Sequence, residues 1–180
     1  MKIVVAASLT RSLINFRRSL LEDLVKTGAE VVACAPEDDA ETIKQLNAMG
    51  VRFERIAMAR ASTNPLGDLK TLGALVSLFR RERPDIVLSY TQKPIIYGGL
   101  AARVAGVPRY YAMQSGLGFT FSEENTNAVL RRLVSLLYRA GVSWYLARID
   151  PVSGELAAQP TLWGRDMRFA DTPGWSNRST

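Results

Sequence analysis

Residues 1–36 decide the fold, and their sequence is MKIVVAASLTRSLINFRRSLLEDLVKTGAEVVACAP. Ile3–Ala7 is a short apolar run rich in β-branched residues, which is typical of a strand buried on both faces. Glu30–Ala35 predicts a second strand. Between them, apolar residues recur at helical spacing and predict one face of a helix that ends at Gly28: Leu13, Ile14, Phe16, Leu20, Leu21, Leu24 and Val25.

The same alternation of strands and helices continues to residue 113. Further strands are predicted at Val51–Ile56, Ile86–Leu88 and Arg109–Met113. Helices are predicted between them: one capped by Asp38, one from Asn64-Pro65 to about Arg83, and one over Ile95–Ala105. The apolar face of the middle helix consists of Leu66, Leu69, Leu72, Val76 and Phe79.

This alternation predicts an α/β fold with a Rossmann-like, doubly wound parallel sheet. The crossovers should be right-handed, and the first strand, as the most apolar one, should lie at the centre. Another helix is predicted from Ser122 to about Ala140, with Leu133, Leu136 and Leu137 on its apolar face. We expect the folded domain to span residues 1–141, because residues 142–180 have no lasting periodicity and look like an irregular, truncated or frame-shifted tail.

Composition excludes several classes of protein. The chain has 23 Lys and Arg against 17 Asp and Glu, which favours anionic partners. It has no His, which excludes His-based acid–base catalysis and the Ser-His-Asp triad. Its single Cys forbids an internal disulfide, and Cys34 lies in an apolar strand, as expected of an inert core thiol. No secretory or membrane-spanning pattern occurs, so we expect a cytoplasmic protein.

Polar residues follow three of the predicted strands, in the loops Ser8–Ser12, Ser89–Pro94 and Gln114–Phe119. Ligands of doubly wound sheets bind at the carboxyl ends of the strands, so these loops are candidate binding loops, although loops are polar in most proteins. No G-x-G-x-x-G motif follows the first strand and no Walker A sequence exists, which disfavours NAD(P) enzymes and P-loop ATPases. The basic runs are too short to indicate nucleic-acid binding.

Ser89–Ala105, with the sequence SYTQKPIIYGGLAARVA, resembles a segment of the family 4 glycosyltransferases. That family has the pattern PDIVL-x-YT-x-KP-x-IYG-x-LAAR. Five further motifs agree with it in order and spacing: LINFR at residues 13–17, NPLGDL at 64–69, RPD at 83–85, AGVP at 105–108 and GLGF at 116–119. The resemblance covers residue 1 to about residue 141.

The resemblance implies the two-domain GT-B architecture, with this chain as the N-terminal, acceptor-side half. Donors in this family are usually UDP- or GDP-sugars, and no metal or cofactor is implied. Members with these motifs extend lipid-linked sugars or polysaccharides at the cytoplasmic face of the bacterial membrane, which implies a peripheral association with that surface.

Carried over by position, the resemblance implies a set of substrate-binding residues but no identifiable catalytic residue. Arg11 and Lys93 would pair with phosphate oxygens. Ser115 stands where many members of the family have His. The full set consists of Ser8, Arg11, Asn15, Arg17, Tyr90, Thr91, Lys93, Tyr97, Gln114, Ser115, Gly116 and Gly118.

The sequence leaves three functional hypotheses open. The donor domain with its paired glutamates is missing from these 180 residues, so the first is an acceptor domain that is inactive alone. The second is a non-catalytic binding subunit that pairs with a separate donor-domain chain. The third is an unrelated Rossmann-like protein that binds a small molecule.

Overall fold

The computed structural model describes residues 1–58 and 65–113, together with residues 132, 135–137 and 141. The strands are β1 (Lys2–Ala6), β2 (Glu30–Ala35), β3 (Val51–Arg55), β4 (Ile86–Tyr90) and β5 (Arg109–Met113). The helices are α1 (Thr10–Asn15), α2 (Arg18–Lys26), α3 (Ala40–Ala48), α4 (Pro65–Glu82) and α5 (Gln92–Ala105). Each predicted strand is confirmed to within two residues.

The five strands form one parallel sheet with the order β3-β2-β1-β4-β5. The predicted central place of β1 is therefore confirmed. Ala6 pairs with Cys34 of β2 on one side and with Ser89 of β4 on the other. Strand order reverses between β1 and β4, which makes their carboxyl ends the switch point of the sheet.

Two apolar layers cover the sheet, and alternate residues of β1 belong to different layers. Val4 and Ala6 pack with α4 and α5, whereas Ile3 and Val5 pack with α1 and α2. All of these β1 side chains are buried, as expected of a strand with helices on both faces. Cys34 is buried in the same core, and its burial raises the pKa of the thiol to about 12, so it is the inert thiol that the sequence predicts.

The helix predicted after β1 is in fact two helices. The chain leaves helical geometry at Phe16 and Arg17, between α1 and α2. Leu13 and Leu21 both reach the core, but Phe16 is 70% exposed, so its assignment to the apolar face is wrong. Apolar spacing does not reveal such a break, because the residues on either side of it still face the sheet.

Two other helix starts also differ from the sequence prediction. The cap of α3 is Asp39 and not Asp38: its Oδ1 accepts a hydrogen bond from the Thr42 backbone N–H at 3.2 Å. The α5 helix begins at Gln92, three residues before the predicted Ile95. Adjacent acidic residues offer the same cap chemistry, so sequence alone does not choose between Asp38 and Asp39.

The predicted apolar face of α4 is buried only in its second half. Leu75, Leu78 and Phe79 belong to the core, whereas Leu66 and Leu69 are 71% and 65% exposed. Within the same two turns Thr71 is fully buried and Leu72 packs against the core, so it is only the face with Leu66 and Leu69 that lies outside it. The prediction that Leu66 and Leu69 are core residues is wrong.

Close packing against α5 depends on two adjacent glycines. A Cβ at Gly98 would lie 2.6 Å from Ser89 Oγ, so α5 packs closely on the sheet at this position. A Cβ at Gly99 would overlap the Gly141 carbonyl, so Gly99 packs on the following helical segment instead. In that segment Leu137 packs on Ile95 and Ile96, but Leu136 is exposed, which corrects its predicted place on the apolar face.

Six charged side chains form a network around the amino ends of β1–β3 and the end of α4, here called the amino-end network. Its centre is Glu82, whose side chain is only 6% exposed. The Arg52 guanidinium, followed by Lys2 and Arg81, holds the pKa of Glu82 down to about 2. Glu30 and Glu54 complete the network.

The 142–180 tail and the boundary near residue 141 lie outside the described residues or at their margin, and they stay predictions. Among the helices that the structure describes, none combines the length and the apolar character that a membrane span requires.

Candidate functional site

The candidate site lies at the carboxyl ends of β1 and β4, the switch point of the sheet. Ser8 follows β1 and Thr91 follows β4, and the Thr91 hydroxyl donates a hydrogen bond to Ser8 Oγ at 2.8 Å. This bond joins two loops that are 83 residues apart in sequence. Parallel sheets bind ligands at this point because the chains leave it in opposite directions and open a crevice.

Thr91 has an unusual backbone conformation, with φ 69° and ψ 154°. This region is costly for a β-branched residue, on the order of 1–3 kcal/mol, and such strain is concentrated at functional sites. Thr91 is the residue before α5, yet its side chain does not cap that helix. Its hydroxyl bonds to Ser8 instead, so the strained residue joins the two loops of the crevice and does not cap the helix.

On the α1–α2 side of the crevice, Tyr90 supports a cation. Ser12 Oγ donates to the Leu9 carbonyl at 2.5 Å, so the Tyr90 hydroxyl donates to Ser12 Oγ, at 2.8 Å. Burial raises the pKa of Tyr90 to about 12, so the ring stays neutral at physiological pH. The Arg17 guanidinium carbon lies 5.0 Å from the centroid of this ring, which is a cation–π distance.

On the α4–α5 side, Asp68 accepts from two side chains. Lys93 Nζ lies 2.7 Å from Asp68 Oδ1, and both side chains are mostly buried. Burial raises the pKa of Tyr97, and its hydrogen bond to Asp68 raises that pKa further. Lys93 and Tyr97 are one turn apart on α5, so a single carboxylate of α4 organises both.

A third group of contacts ties the β1 loop to the segment after β2. The Thr10 hydroxyl donates to the Glu37 carbonyl at 2.8 Å, and the Thr10 N–H donates to the Glu37 carboxylate at 2.6 Å. Arg11 Nε donates to Asp39 Oδ2 at 2.5 Å and thereby lowers the pKa of that carboxyl. Arg11 is therefore held at the start of α3.

The structure brings some of the predicted site residues together and separates others. Ser8, Arg17, Tyr90 and Thr91 surround the switch point, with Lys93 and Tyr97 on its α4–α5 side. Arg11 faces Asp39, and Asn15 is exposed at the end of α1. Four predicted residues lie outside the described residues: Gln114, Ser115, Gly116 and Gly118.

Sequence reasoning missed Ser12 and Asp68 as site residues. Asp68 belongs to the NPLGDL motif, but its bond to Lys93 spans 25 residues and leaves no local signal. Ser12 lies within a loop that the sequence did single out, and its role depends on Tyr90, which is 78 residues away. Among residues 1–58 and 65–113, no cluster of His, Cys, Asp and Glu has the arrangement of a metal site.

These contacts define what the crevice can bind. Hydroxyl groups of Ser8 and Thr91 offer hydrogen bonds to a sugar hydroxyl, and the stacked Arg17 offers positive charge to an anion. The arrangement is suited to a ligand that carries both hydroxyls and phosphate.

Comparison with known proteins identifies the family that the chain resembles. Residues 15–159 match the family described as glycosyl transferase 4-like domain, which is well over half of the chain. A Campylobacter jejuni protein named N,N'-diacetylbacillosaminyl-diphospho-undecaprenol alpha-1,3-N-acetylgalactosaminyltransferase is 28% identical over 129 residues. That match covers 71% of this chain but 34% of the relative, so the chain spans about a third of that protein's length.

Solved structures share the fold. Anabaena HepE, crystallised with UDP-glucose, has a TM-score of 0.53 at 19% identity, over 82% of this chain and 37% of that one. A UDP-GlcNAc 2-epimerase from Neisseria meningitidis, bound to UDP-GlcNAc, has a TM-score of 0.52 at 17% identity, over 77% of this chain and 39% of that one. At these identities the likeness is one of fold.

Proposed function

The chain belongs to the glycosyl transferase 4-like domain family, and on that premise we propose that it is the acceptor-side domain of a sugar transferase. The donor in this proposal is a UDP- or GDP-sugar, and the acceptor is a lipid-diphosphate-linked sugar or a growing polysaccharide. Transfer requires a donor domain, in the same polypeptide or in a separate chain, to complete the cleft.

The observation that carries this proposal is the bond between Thr91 and Ser8 across the switch point. In this proposal the two bonded hydroxyl groups hold the acceptor sugar hydroxyl, and the backbone strain at Thr91 supports a functional role for that residue. An acceptor must be fixed in orientation before its hydroxyl can attack the anomeric carbon of the donor. The diphosphate that leaves then needs nearby positive charge.

The relative from Campylobacter jejuni supports the choice of acceptor class. Its name specifies a diphospho-undecaprenol acceptor and transfer of an N-acetylated sugar. We extend that class to this chain, because the match covers 71% of it.

The proposal is tested by measuring the affinity of the chain for farnesyl diphosphate linked to N-acetylglucosamine. Thr91→Ala should weaken binding about tenfold, since a hydrogen-bonding group of the crevice is lost. Thr27→Ala, at an exposed threonine after α2, is the matched control and should leave the affinity unchanged. Equal binding by wild type and Thr91→Ala would overturn the proposal.

A second measurement separates a domain from a complete enzyme. The 180-residue chain, mixed with UDP- or GDP-sugars and the same acceptor, should transfer no sugar. Turnover by the chain alone would contradict the need for a donor domain.

We also propose that the first two turns of α4 contact an anionic membrane surface. Leu66 and Leu69 are exposed beside Lys70, and apolar anchors with a neighbouring cation are the chemistry of peripheral binding. Vesicles of phosphatidylglycerol and phosphatidylcholine should sediment the wild type but not a Leu66→Ser, Leu69→Ser double variant. Val104→Ser, at an exposed valine of α5, is the control; equal sedimentation of all three proteins would contradict the proposal.

A further inference from the structure

We propose that Arg17 is the phosphate-binding residue of this crevice and that Tyr90 positions it. The ligand class is a diphosphate, carried by the nucleotide-sugar donor or by the lipid-linked acceptor. This inference rests on the proposed function and assigns one of its chemical tasks to a particular side chain.

The two cations that the resemblance assigns to phosphate binding are already paired. Arg11 Nε lies 2.5 Å from Asp39, and Lys93 Nζ lies 2.7 Å from Asp68. A phosphate that approached either cation would have to share it with a carboxylate, whose negative charge would repel the ligand.

Arg17 is in a different state. Within the described part of the chain, no carboxylate lies within ion-pair distance of its guanidinium. Its Nε is buried and has no hydrogen-bond partner there, although Nη1 donates to the Phe16 carbonyl at 3.0 Å. A buried donor without a partner is costly, so its presence favours a ligand that would accept from it.

The orientation of Arg17 also suits a phosphate. Arg17 stacks on the Tyr90 ring, with the guanidinium carbon 5.0 Å from the ring centroid. Stacking uses the flat face of a guanidinium and leaves its in-plane N–H groups available, which is the geometry that binds phosphate oxygens in pairs. A lysine at this position has no such fork.

The platform under Arg17 is itself fixed. Tyr90 is 2% exposed, and its hydroxyl is held by Ser12 at 2.8 Å. Tyr90 also directly precedes Thr91, so the residue on which the guanidinium stacks is adjacent in the chain to the one that bonds to Ser8. The break between α1 and α2 makes this possible, because it takes Arg17 out of both helices.

A purely structural role is the competing explanation, since an arginine stem can cover an aromatic ring without binding anything. The two roles differ in which substitutions of Arg17 they tolerate. Methionine would still cover the ring but carries no charge, whereas lysine keeps the charge but lacks the planar fork.

The experiment titrates the 180-residue chain with inorganic pyrophosphate, UDP and farnesyl diphosphate in separate arms. Arg17→Met and Arg17→Lys should both weaken pyrophosphate binding, by about tenfold or more for Met and by less for Lys. Arg18→Met is the matched control: it removes the same charge one residue away, from a side chain that pairs with Glu22 and Gln45. Its affinity should change less than about twofold.

Tyr90→Leu tests the positioning role with a separate readout. In wild type, the NMR resonance of Arg17 Nε–H should shift on addition of pyrophosphate, because this N–H group then donates to a phosphate oxygen. In Tyr90→Leu that shift should shrink even where thermal unfolding shows a folded protein. An unchanged shift would overturn the role of Tyr90.

The remaining outcomes decide the proposal without ambiguity. A loss confined to UDP assigns the site to the donor, and a loss confined to farnesyl diphosphate assigns it to the acceptor. Equal effects of Arg17→Met and Arg18→Met, or no pyrophosphate binding by wild type, would overturn it. If Arg17-dependent pyrophosphate binding persists but the sugar-linked acceptor does not bind, the proposed function fails and this inference stands.

Discussion

The two ends of the sheet hold similar side chains in opposite states. At the amino end, Glu82 accepts from Lys2, Arg52 and Arg81, and the charges of the amino-end network are mutually paired. At the carboxyl end, Thr91 is strained and Arg17 has a buried nitrogen without a partner in the described residues. The contrast teaches that this fold neutralises a nearly buried carboxylate at one end of the strands, whereas the other end, beside its ion pairs, keeps a strained residue and a buried donor without a partner in the described residues.

The comparison predicts that variants at the amino end change stability and variants at the carboxyl end change binding. Stability here means the free energy of unfolding from urea titration, and binding means pyrophosphate affinity.

Glu82→Gln should lower the free energy of unfolding by about 2–3 kcal/mol, because it removes the nearly buried anion that all three cations contact and leaves them only the more exposed Glu30 and Glu54. Pyrophosphate affinity should not change. Glu22→Gln, which breaks only the exposed pair with Arg18, should cost under about 0.5 kcal/mol. A similar cost for both variants would mean that the amino-end network stabilises the protein no more than an exposed ion pair does.

Acid should remove the same contribution in wild type. The pKa of Glu82 is lowered from an ordinary 4.5 to about 2, so its stabilising effect is complete above pH 4.5 and is lost as the pH falls towards 2. We expect about 2 kcal/mol of wild-type stability to depend on this group over that range. Urea titrations at several pH values should therefore show a steeper acid loss for wild type than for Glu82→Gln; parallel curves would contradict the assignment.

Thr91 should separate stability from function. Thr91→Gly should be about 1 kcal/mol more stable than Thr91→Ala, because glycine accepts a positive φ without strain. Both variants lose the hydroxyl that bonds to Ser8, so both should bind the sugar-linked acceptor more weakly than wild type. If alanine were as stable as glycine here, the backbone strain at Thr91 would be absent in solution.

Ser89→Ala should have the smallest effect, within about 0.5 kcal/mol of wild type and on the stabilising side. Ser89 Oγ is buried, and the described residues offer it no hydrogen-bond partner. Calorimetric melting of the two proteins is sensitive enough to compare them. A loss of more than about 1 kcal/mol would reveal a bond that this hydroxyl makes in solution.

The sequence predicts the sheet well because buried strands have a recognisable local pattern of apolar residues. β1 is continuously apolar since helices cover both of its faces, and Asn64-Pro65 precedes the residues that become α4. The predictions fail where the contact that decides the structure is distant in sequence, or where the apolar spacing is the same for buried and exposed residues. Leu66 and Leu69 keep helical spacing although both are exposed, and spacing alone does not show which turns of a helix face the core.

The site was only partly predictable for the same reason. Tyr90 and Thr91 belong to a motif that the resemblance supplies, and the structure places both at the switch point. Asp68 and Ser12 act through partners far along the chain, so no short pattern identifies them. The state of each cation, paired for Arg11 and stacked for Arg17, depends on three-dimensional neighbours that composition does not reveal.

The pairing of β1 with β4 also has a consequence for how the chain folds as it is synthesised. Ile3 pairs with Val31 on one side but with Ile86 on the other, so β1 meets its second neighbour long after its first has emerged from the ribosome. The crevice exists only once that late pairing has closed. We therefore expect a ligand at the switch point to favour the last step of sheet assembly, and a nascent chain that stalls before Tyr90 to expose the apolar edge of β1.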